Sequence, residues 1–237
     1  MTFHLIQTGA VDSTNSEALR RLEAGQALPL FVVADEQTRG RGRGGKAWTS
    51  PKGNFYGTFA LTADQDDGVV AQVSFVAAVA LAKVMTDLGL APQLKWPNDI
   101  LIKGAKISGI LLEKHGPVLL VGMGVNVSHH PGLVSYPSTS LNDCGIEISL
   151  DQLSAQLAHD FQTQYAIWQT QGFGPIRAAW LQRAYGLNQT IAVRLPGQEA
   201  RGGIFEGLGA DGALQLRTPG GLDSIHAGEV YFDAVGH

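Results

Sequence analysis

One string settles more about this chain than any other: Arg39-Gly40-Arg41-Gly42-Arg43-Gly44-Gly45-Lys46. Glycine weakens the interior of a helix or strand, and here it recurs at almost every second position. The string must therefore be a loop. Leu30 to Ala34, before it, reads as a short buried strand. Asn54 to Leu61, after it, carries Phe55, Tyr56 and Phe59 and reads as another. The fold has to present a cationic loop between two core strands.

Glycines let successive backbone N–H groups converge on one anion. Arginines add bidentate donors for phosphate or carboxylate. Such a loop suits a nucleoside triphosphate or a departing pyrophosphate. Three familiar patterns fit the string by accident. Gly40, Gly42 and Gly45 satisfy the dinucleotide fingerprint, but Trp48-Thr49-Ser50-Pro51 cannot open the helix that fingerprint requires. Gly40 to Lys46 satisfies the P-loop spacing, but Ala47 stands where a Ser or Thr should hold magnesium. An Arg-Gly run can also bind RNA, although such runs are usually terminal and disordered.

The rest of the chain reads as an α+β mixture. Strands are expected at 3–8, 93–96, 100–102, 107–114 and 118–127. Helices are expected at 15–24, 69–88, 150–169 and 175–184. Thr14 to Glu17 has capping-box spacing. Without strict βαβ alternation, the sheet should be mixed or largely antiparallel, flanked by helices. Beyond Gln189 the texture changes to short strands at 191–195, 203–209, 213–217 and 222–226 with Gly, Pro and Asp-Gly turns, which suggests a small β-barrel. A boundary near Gly186 divides the chain into 1–186 and 187–237.

Composition narrows the functional classes. Hydrophobic residues are 44% and charged residues 16%, which excludes disorder and a coiled coil. The net charge of −4 excludes a polycation, so an anion site must come from local clustering. Cys144 is the one cysteine, which excludes an intramolecular disulfide and a multi-cysteine zinc site. The histidines show no ligand spacing. The longest apolar run, Val73 to Met85, is too short to span a membrane. No basic head precedes an apolar N-terminal stretch, so the expectation is a soluble cytoplasmic protein with no membrane partner.

Five motifs then follow in order: Asp12-Ser13-Thr14-Asn15, Gln37 to Gly45, Lys95-Trp96-Pro97-Asn98-Asp99, Lys106-Ile107-Ser108-Gly109-Ile110-Leu111, and Gly122-Met123-Gly124-Val125-Asn126. Together they resemble the signature series of biotin protein ligases. Gly207, Asp211-Gly212-Ala213-Leu214 and Gly228-Glu229-Val230 resemble that family's small SH3-like end domain. The resemblance implies a class II synthetase-like catalytic domain plus the SH3-like β-barrel. Repressor members of the family carry an N-terminal DNA-binding domain. Ser13 comes too early to leave room for one, so the short form with no DNA partner is expected.

The resemblance implies an ATP-dependent ligase that makes biotinyl-5′-AMP and passes biotin to a lysine of a biotin carboxyl carrier domain of a carboxylase. Arg43, Lys106 and Asp99 are its implied catalytic residues. Ser13, Thr14, Asn15, Gln37, Gly40, Arg41, Lys106 and Gly109 are implied to bind biotin. Arg41, Arg43, Trp48, Lys95, Asn98 and Asn126 are implied to bind ATP or the adenylate. Thr14 reads equally as a plain N-cap, and Asp99 as a turn residue. Magnesium would arrive with ATP, and the sequence shows no strong protein ligand for a metal. Family members pair through sheet edges or stay monomeric, which leaves a homodimer open. Gly44 stands where some members have a basic or larger residue, a departure that puts one auxiliary phosphate contact in doubt and not the core assignment. Two rival readings remain. One is a lipoate-attaching enzyme of shared architecture; the other is a non-enzymatic RNA-binding protein that uses the Arg-Gly loop.

Overall fold

The computed structural model describes residues 2–132, 136–195 and 197–232. Its larger sheet has seven strands: β1 (His4–Val11), β2 (Leu30–Gln37), β3 (Phe55–Thr62), β4 (Pro92–Lys95), β5 (Asp99–Ile102), β6 (Ala105–His115) and β7 (Val118–Val125). They lie in the order β1-β2-β3-β7-β6-β5-β4. A parallel pair needs a crossover. Only β1 and β2 have one, through α1 (Thr14–Glu23), and only they run parallel. The remaining pairings are antiparallel, so the sheet is mixed.

One face of the sheet is buried under α3 (Val73–Asp87) and α4 (Leu150–Gln171), and α5 (Phe173–Leu181) packs on these two helices and on the second sheet. An apolar surface all round a helix demands burial, and α3 is enclosed along nearly its whole length. Aromatic stacking joins the layers. Phe31 on β2 stacks on Phe59 of β3 at 4.0 Å, and Phe59 on Phe161 of α4 at 4.2 Å. α1 covers part of the other face, where Ala18 packs with Leu30, Val32, Ala60 and Leu120. The part that α1 leaves open, on β6 and β7, bears the site.

The single helix expected at 69–88 is divided. α2 (Asp67–Ala71) ends and α3 begins at Gln72, whose side chain accepts from Trp168 Nε1 at 2.9 Å. Counted together, Asp67–Asp87 is long and apolar enough to cross a membrane, but 72% of that stretch is buried inside the molecule. It is a core element.

The second sheet contains β8 (Thr190–Arg194), β9 (Ala200–Leu208), β10 (Leu214–Thr218), β11 (Gly221–Ile225) and β12 (Glu229–Tyr231). Its order is β11-β10-β9-β8-β12, antiparallel throughout. β12 was not expected as a strand. The apolar core runs unbroken from one sheet to the other. Trp96 Nε1 donates to the Gly212 carbonyl at 3.2 Å, and Arg177 Nε to that of Leu208 at 2.6 Å. Residues 233–237 of the expected second unit lie outside the described residues.

Candidate active site

A cavity of about 890 Å³ opens between the uncovered part of the large sheet, the glycine-arginine loop and the edge of the second sheet. Every expected site residue except Gly40 and Asn126 lines it.

α1 delivers Ser13, Thr14 and Asn15 by its N-terminus. Ser13 is the N-cap, with extended backbone and an Oγ that accepts from the Ser16 N–H at 3.1 Å. Thr14 is therefore not the cap. Its N–H and Oγ1 both donate to Gln37 Oε1, at 2.9 and 3.2 Å. The expected capping box does not form either, because Glu17 pairs with Arg20 and Arg21. Asp12 steadies the turn by accepting from the Ser13 N–H at 2.8 Å. The hydrogen-bonded Arg20 guanidinium pulls the Asp12 carboxyl down to about 2 despite desolvation.

The floor is made of glycine. A Cβ on Gly122 would lie 2.6 Å from Asn15 Oδ1, and one on Gly124 2.5 Å from Trp48 Nε1. Any side chain there would displace a group that lines the cavity. Gly109 pairs with Gly124 across the ladder, and the Trp48 indole covers both.

Cations converge on the other side. Arg41, Arg43, Lys46, Lys95, Lys106 and Arg194 line the cavity, against Asp99 and Glu229. Lys106 Nζ lies 2.7 Å from Asp99 Oδ1 and 5.3 Å from the ring centres of both Trp48 and Tyr136. Arg43 Nη1 donates to the Gly228 carbonyl at 3.2 Å. Burial lowers the pKa of Arg43 from its ordinary value, while the charges of Asp99 and Glu229 act the other way. Arg41 forks onto Glu113, Nη2 at 2.9 Å and Nε at 3.2 Å. Lys95 Nζ sits 5.5 Å from the Phe232 ring centre. Asn98 lines the cavity but gives its Nδ2 to the Ile110 carbonyl at 2.6 Å.

Two expected residues are not among those that line the cavity. Gly40 packs inside its own loop, where a Cβ would lie 2.4 Å from the Trp48 carbonyl oxygen. Asn126 is buried behind the floor, and its Nδ2 donates to the Thr139 carbonyl at 3.0 Å, so it ties β7 to the following loop. Sequence reasoning also missed contributors. Arg194, Glu229, Tyr231 and Phe232 bring the second sheet into the wall. Tyr136 covers Lys106. Glu113 has the parity of Gly109 and Leu111 on β6, and that alternation was its only signal. Among the described residues no group of three or more His, Cys, Asp and Glu side chains is arranged to hold a metal.

Residues 9–128 match the biotin/lipoate A/B protein ligase family, and residues 186–233 match the biotin protein ligase C terminal domain. The chain is 41% identical to the biotin--[acetyl-CoA-carboxylase] ligase of Paracoccus denitrificans, covering 93% of this chain and 97% of that one. It is similar to the biotin protein ligase of Aquifex aeolicus solved with biotin and ATP. There the identity is 25%, the TM-score 0.85 and the coverage 96% and 97%. The biotin protein ligase of Leishmania major in complex with biotinyl-5-AMP matches at 27% identity and a TM-score of 0.61, with coverage of 94% and 99%. Matched through both its sheets and across nearly its full length, the chain belongs to the biotin protein ligases of the biotin/lipoate A/B protein ligase family.

Proposed function

We propose that this cavity activates biotin with ATP and transfers it to a lysine of a biotin carboxyl carrier domain. The convergence of cations from the loop, from β4 and β6 and from the second sheet on one glycine-floored cavity carries this reading.

A carboxylate is a poor electrophile. In the first step the biotin carboxylate oxygen attacks the α-phosphorus of ATP. A new O–P bond forms, the bond to the β-phosphate oxygen breaks, and pyrophosphate leaves with the electron pair. Two anions must meet, and fixed cations lower that cost. Lys106 and Arg43, both in the cavity lining, are assigned to the junction of the carboxylate and the α-phosphate. Arg41, Lys95 and Asn98 serve the nucleotide, and Trp48 covers it. Ser13, Thr14, Asn15 and Gln37 hold the ureido ring; hydrogen bonds of Thr14 to Gln37, of Gln37 to Ser50 and of Asn15 to Glu113 orient these groups beforehand. In the second step the carrier amine attacks the acyl carbon, the amide bond forms, and AMP departs with the acyl–oxygen electron pair. The amine arrives as an ammonium and must lose a proton. Asp99, on the cavity wall, orients it and takes that proton.

The unit 1–186 carries this chemistry and 187–237 supplies one wall. Magnesium would enter as the ATP complex. We assign the reaction to the cytoplasm. The polar cradle at the N-terminus of α1 favours a ureido ring over the dithiolane of lipoate. The test is pyrophosphate release from ATP with biotin, with lipoate and with neither. Release with biotin alone is expected. Equal release with lipoate moves the assignment to the sister activity. No release, together with salt-dependent RNA binding, replaces it with the RNA reading.

A further inference from the structure

Glu113 belongs to no motif of the sequence, yet two parts of the site meet on its carboxylate. It follows Leu111 on the cavity face of β6, opposite Leu120 of β7. Its Oε2 accepts from Asn15 Nδ2 at 2.8 Å and from Arg41 Nη2 at 2.9 Å. Its Oε1 accepts from Arg41 Nε at 3.2 Å. The side chain is 25% exposed, less than the 40% of Arg41. Both oxygens are engaged, and all three donors come from elsewhere in the chain.

An ionised carboxylate only accepts hydrogen bonds. That property fixes the Asn15 amide, which must turn its NH2 toward Glu113 and hence its Oδ1 the other way. Thr58 Oγ1 stands there, 2.6 Å from Asn15 Oδ1 and 2.8 Å from Thr14 Oγ1. The same oxygen of Asn15 lies over Gly122 of the floor. On the loop side, the fork holds Arg41 in one plane, and Arg41 Nη1 donates to Ser16 Oγ at 3.2 Å. Arg41 in turn lies two residues before Arg43 and is bridged to Ala47, next to Trp48. One carboxylate thus orients the cradle of the ureido ring and anchors the loop that carries Arg43 and Trp48.

We infer that Glu113 is a positioning residue of the ligase reaction, joining the biotin cradle to the glycine-arginine loop through Asn15 and Arg41. This rests on the reading of the cavity as a biotin-activating site. Glu113 does not itself line the cavity, so its effect passes through the other two residues.

Glu113→Gln keeps the shape but replaces one acceptor oxygen with a donor. It can no longer take all three hydrogen bonds. Loss of a charge-assisted hydrogen bond predicts about a tenfold rise in KM for biotin. The KM for ATP should rise as well, because the same fork holds Arg41, which serves the nucleotide. The variant should also consume more ATP per biotin transferred, because a loosely held loop lets adenylate escape to water. A merely structural residue would lower folded protein without raising either KM in the folded fraction or uncoupling ATP use. Glu206→Gln is the control, since it breaks an exposed pair with Arg217 on the second sheet. The double variant Glu113→Gln, Arg41→Gln supplies the second readout. If the two act through each other, it loses little more than the worse single variant. Two results overturn the inference: Glu113→Gln with an unchanged KM for biotin and unchanged coupling, or single-variant losses that simply multiply in the double. If the unaltered protein releases no pyrophosphate with biotin, the reading of the cavity has failed instead.

Discussion

Asp99 and Lys106 are 2.7 Å apart, and that contact sharpens the role assigned to each. In the free protein the two charges satisfy one another. In the proposed reaction Lys106 would turn to the bound anions, leaving Asp99 as the acidic group on the wall to meet an incoming ammonium. Asp99→Asn keeps the hydrogen-bonding shape and removes the base. Pyrophosphate release with biotin should persist within about threefold, while transfer to the carrier falls by about a hundredfold, within the range for loss of a general base. Quench-flow measurement of the two half-reactions checks this, and an equal loss in both would mean that Asp99 serves only to place Lys106. These residues were legible because each sits in a short motif of unusual composition. Glu113 was not, because a single acid in Leu111-Leu112-Glu113-Lys114 looks like an ordinary strand residue until its partners are known. Asn126 ends a motif, and what the sequence did not show is that its Nδ2 donates to the Thr139 carbonyl.

The glycine-arginine loop is a small folded element. Gly42 N–H donates to the Lys46 carbonyl at 2.7 Å, Trp48 N–H to that of Gly40 at 2.9 Å, and Gln37 N–H to that of Ser50 at 3.1 Å. Its composition announced a loop and an anion site, but not these bridges. Its job in the proposed reaction is to keep water from the adenylate. Biotin should slow protease cleavage within 39–51. It should also change the fluorescence of Trp48, which is half-buried while Trp96, Trp168 and Trp180 are core residues. Arg43→Gly should release adenylate and label bystander proteins; equal labelling by both proteins would remove the retention role. A second element-scale prediction concerns α4. Desolvation raises the pKa of Asp160, Asp87 adds to this and Lys83 opposes it. Folding therefore disfavours the ionised form, and stability falls as pH rises from the ordinary carboxylate range through the raised value. Asp160→Asn should raise Tm at about pH 7 and leave it unchanged near pH 3, where the native acid is already protonated. A gain of equal size at both pH values would point to packing instead of charge. Elsewhere, element types followed periodicity closely. The break at Gln72, whose side chain accepts from Trp168 of another helix, did not.

At the scale of the molecule, two sheets were legible from the change of texture past Gln189, but their joint wall was not. Pairing between residues far apart in sequence leaves no local trace. The loop closes on the second sheet through two neighbouring contacts: Arg43 to the Gly228 carbonyl and Lys46 to the Glu229 carboxylate. Lys46 and the Tyr231 hydroxyl, which donates to the same carboxylate at 2.5 Å, lower the pKa of Glu229. An exposed pair of this kind contributes at most about 1 kcal/mol to stability. That suits a latch, which must open to admit ATP and release AMP. Glu229→Gln should leave Tm nearly unchanged and speed cleavage of the loop by protease. The latch is electrostatic and exposed, so salt should screen it. Raising ionic strength should therefore speed cleavage of the unaltered protein toward the rate of the variant, while the variant stays nearly insensitive. If salt accelerates both alike, the Lys46–Glu229 pair does not hold the loop, and closure depends on the Arg43–Gly228 hydrogen bond alone.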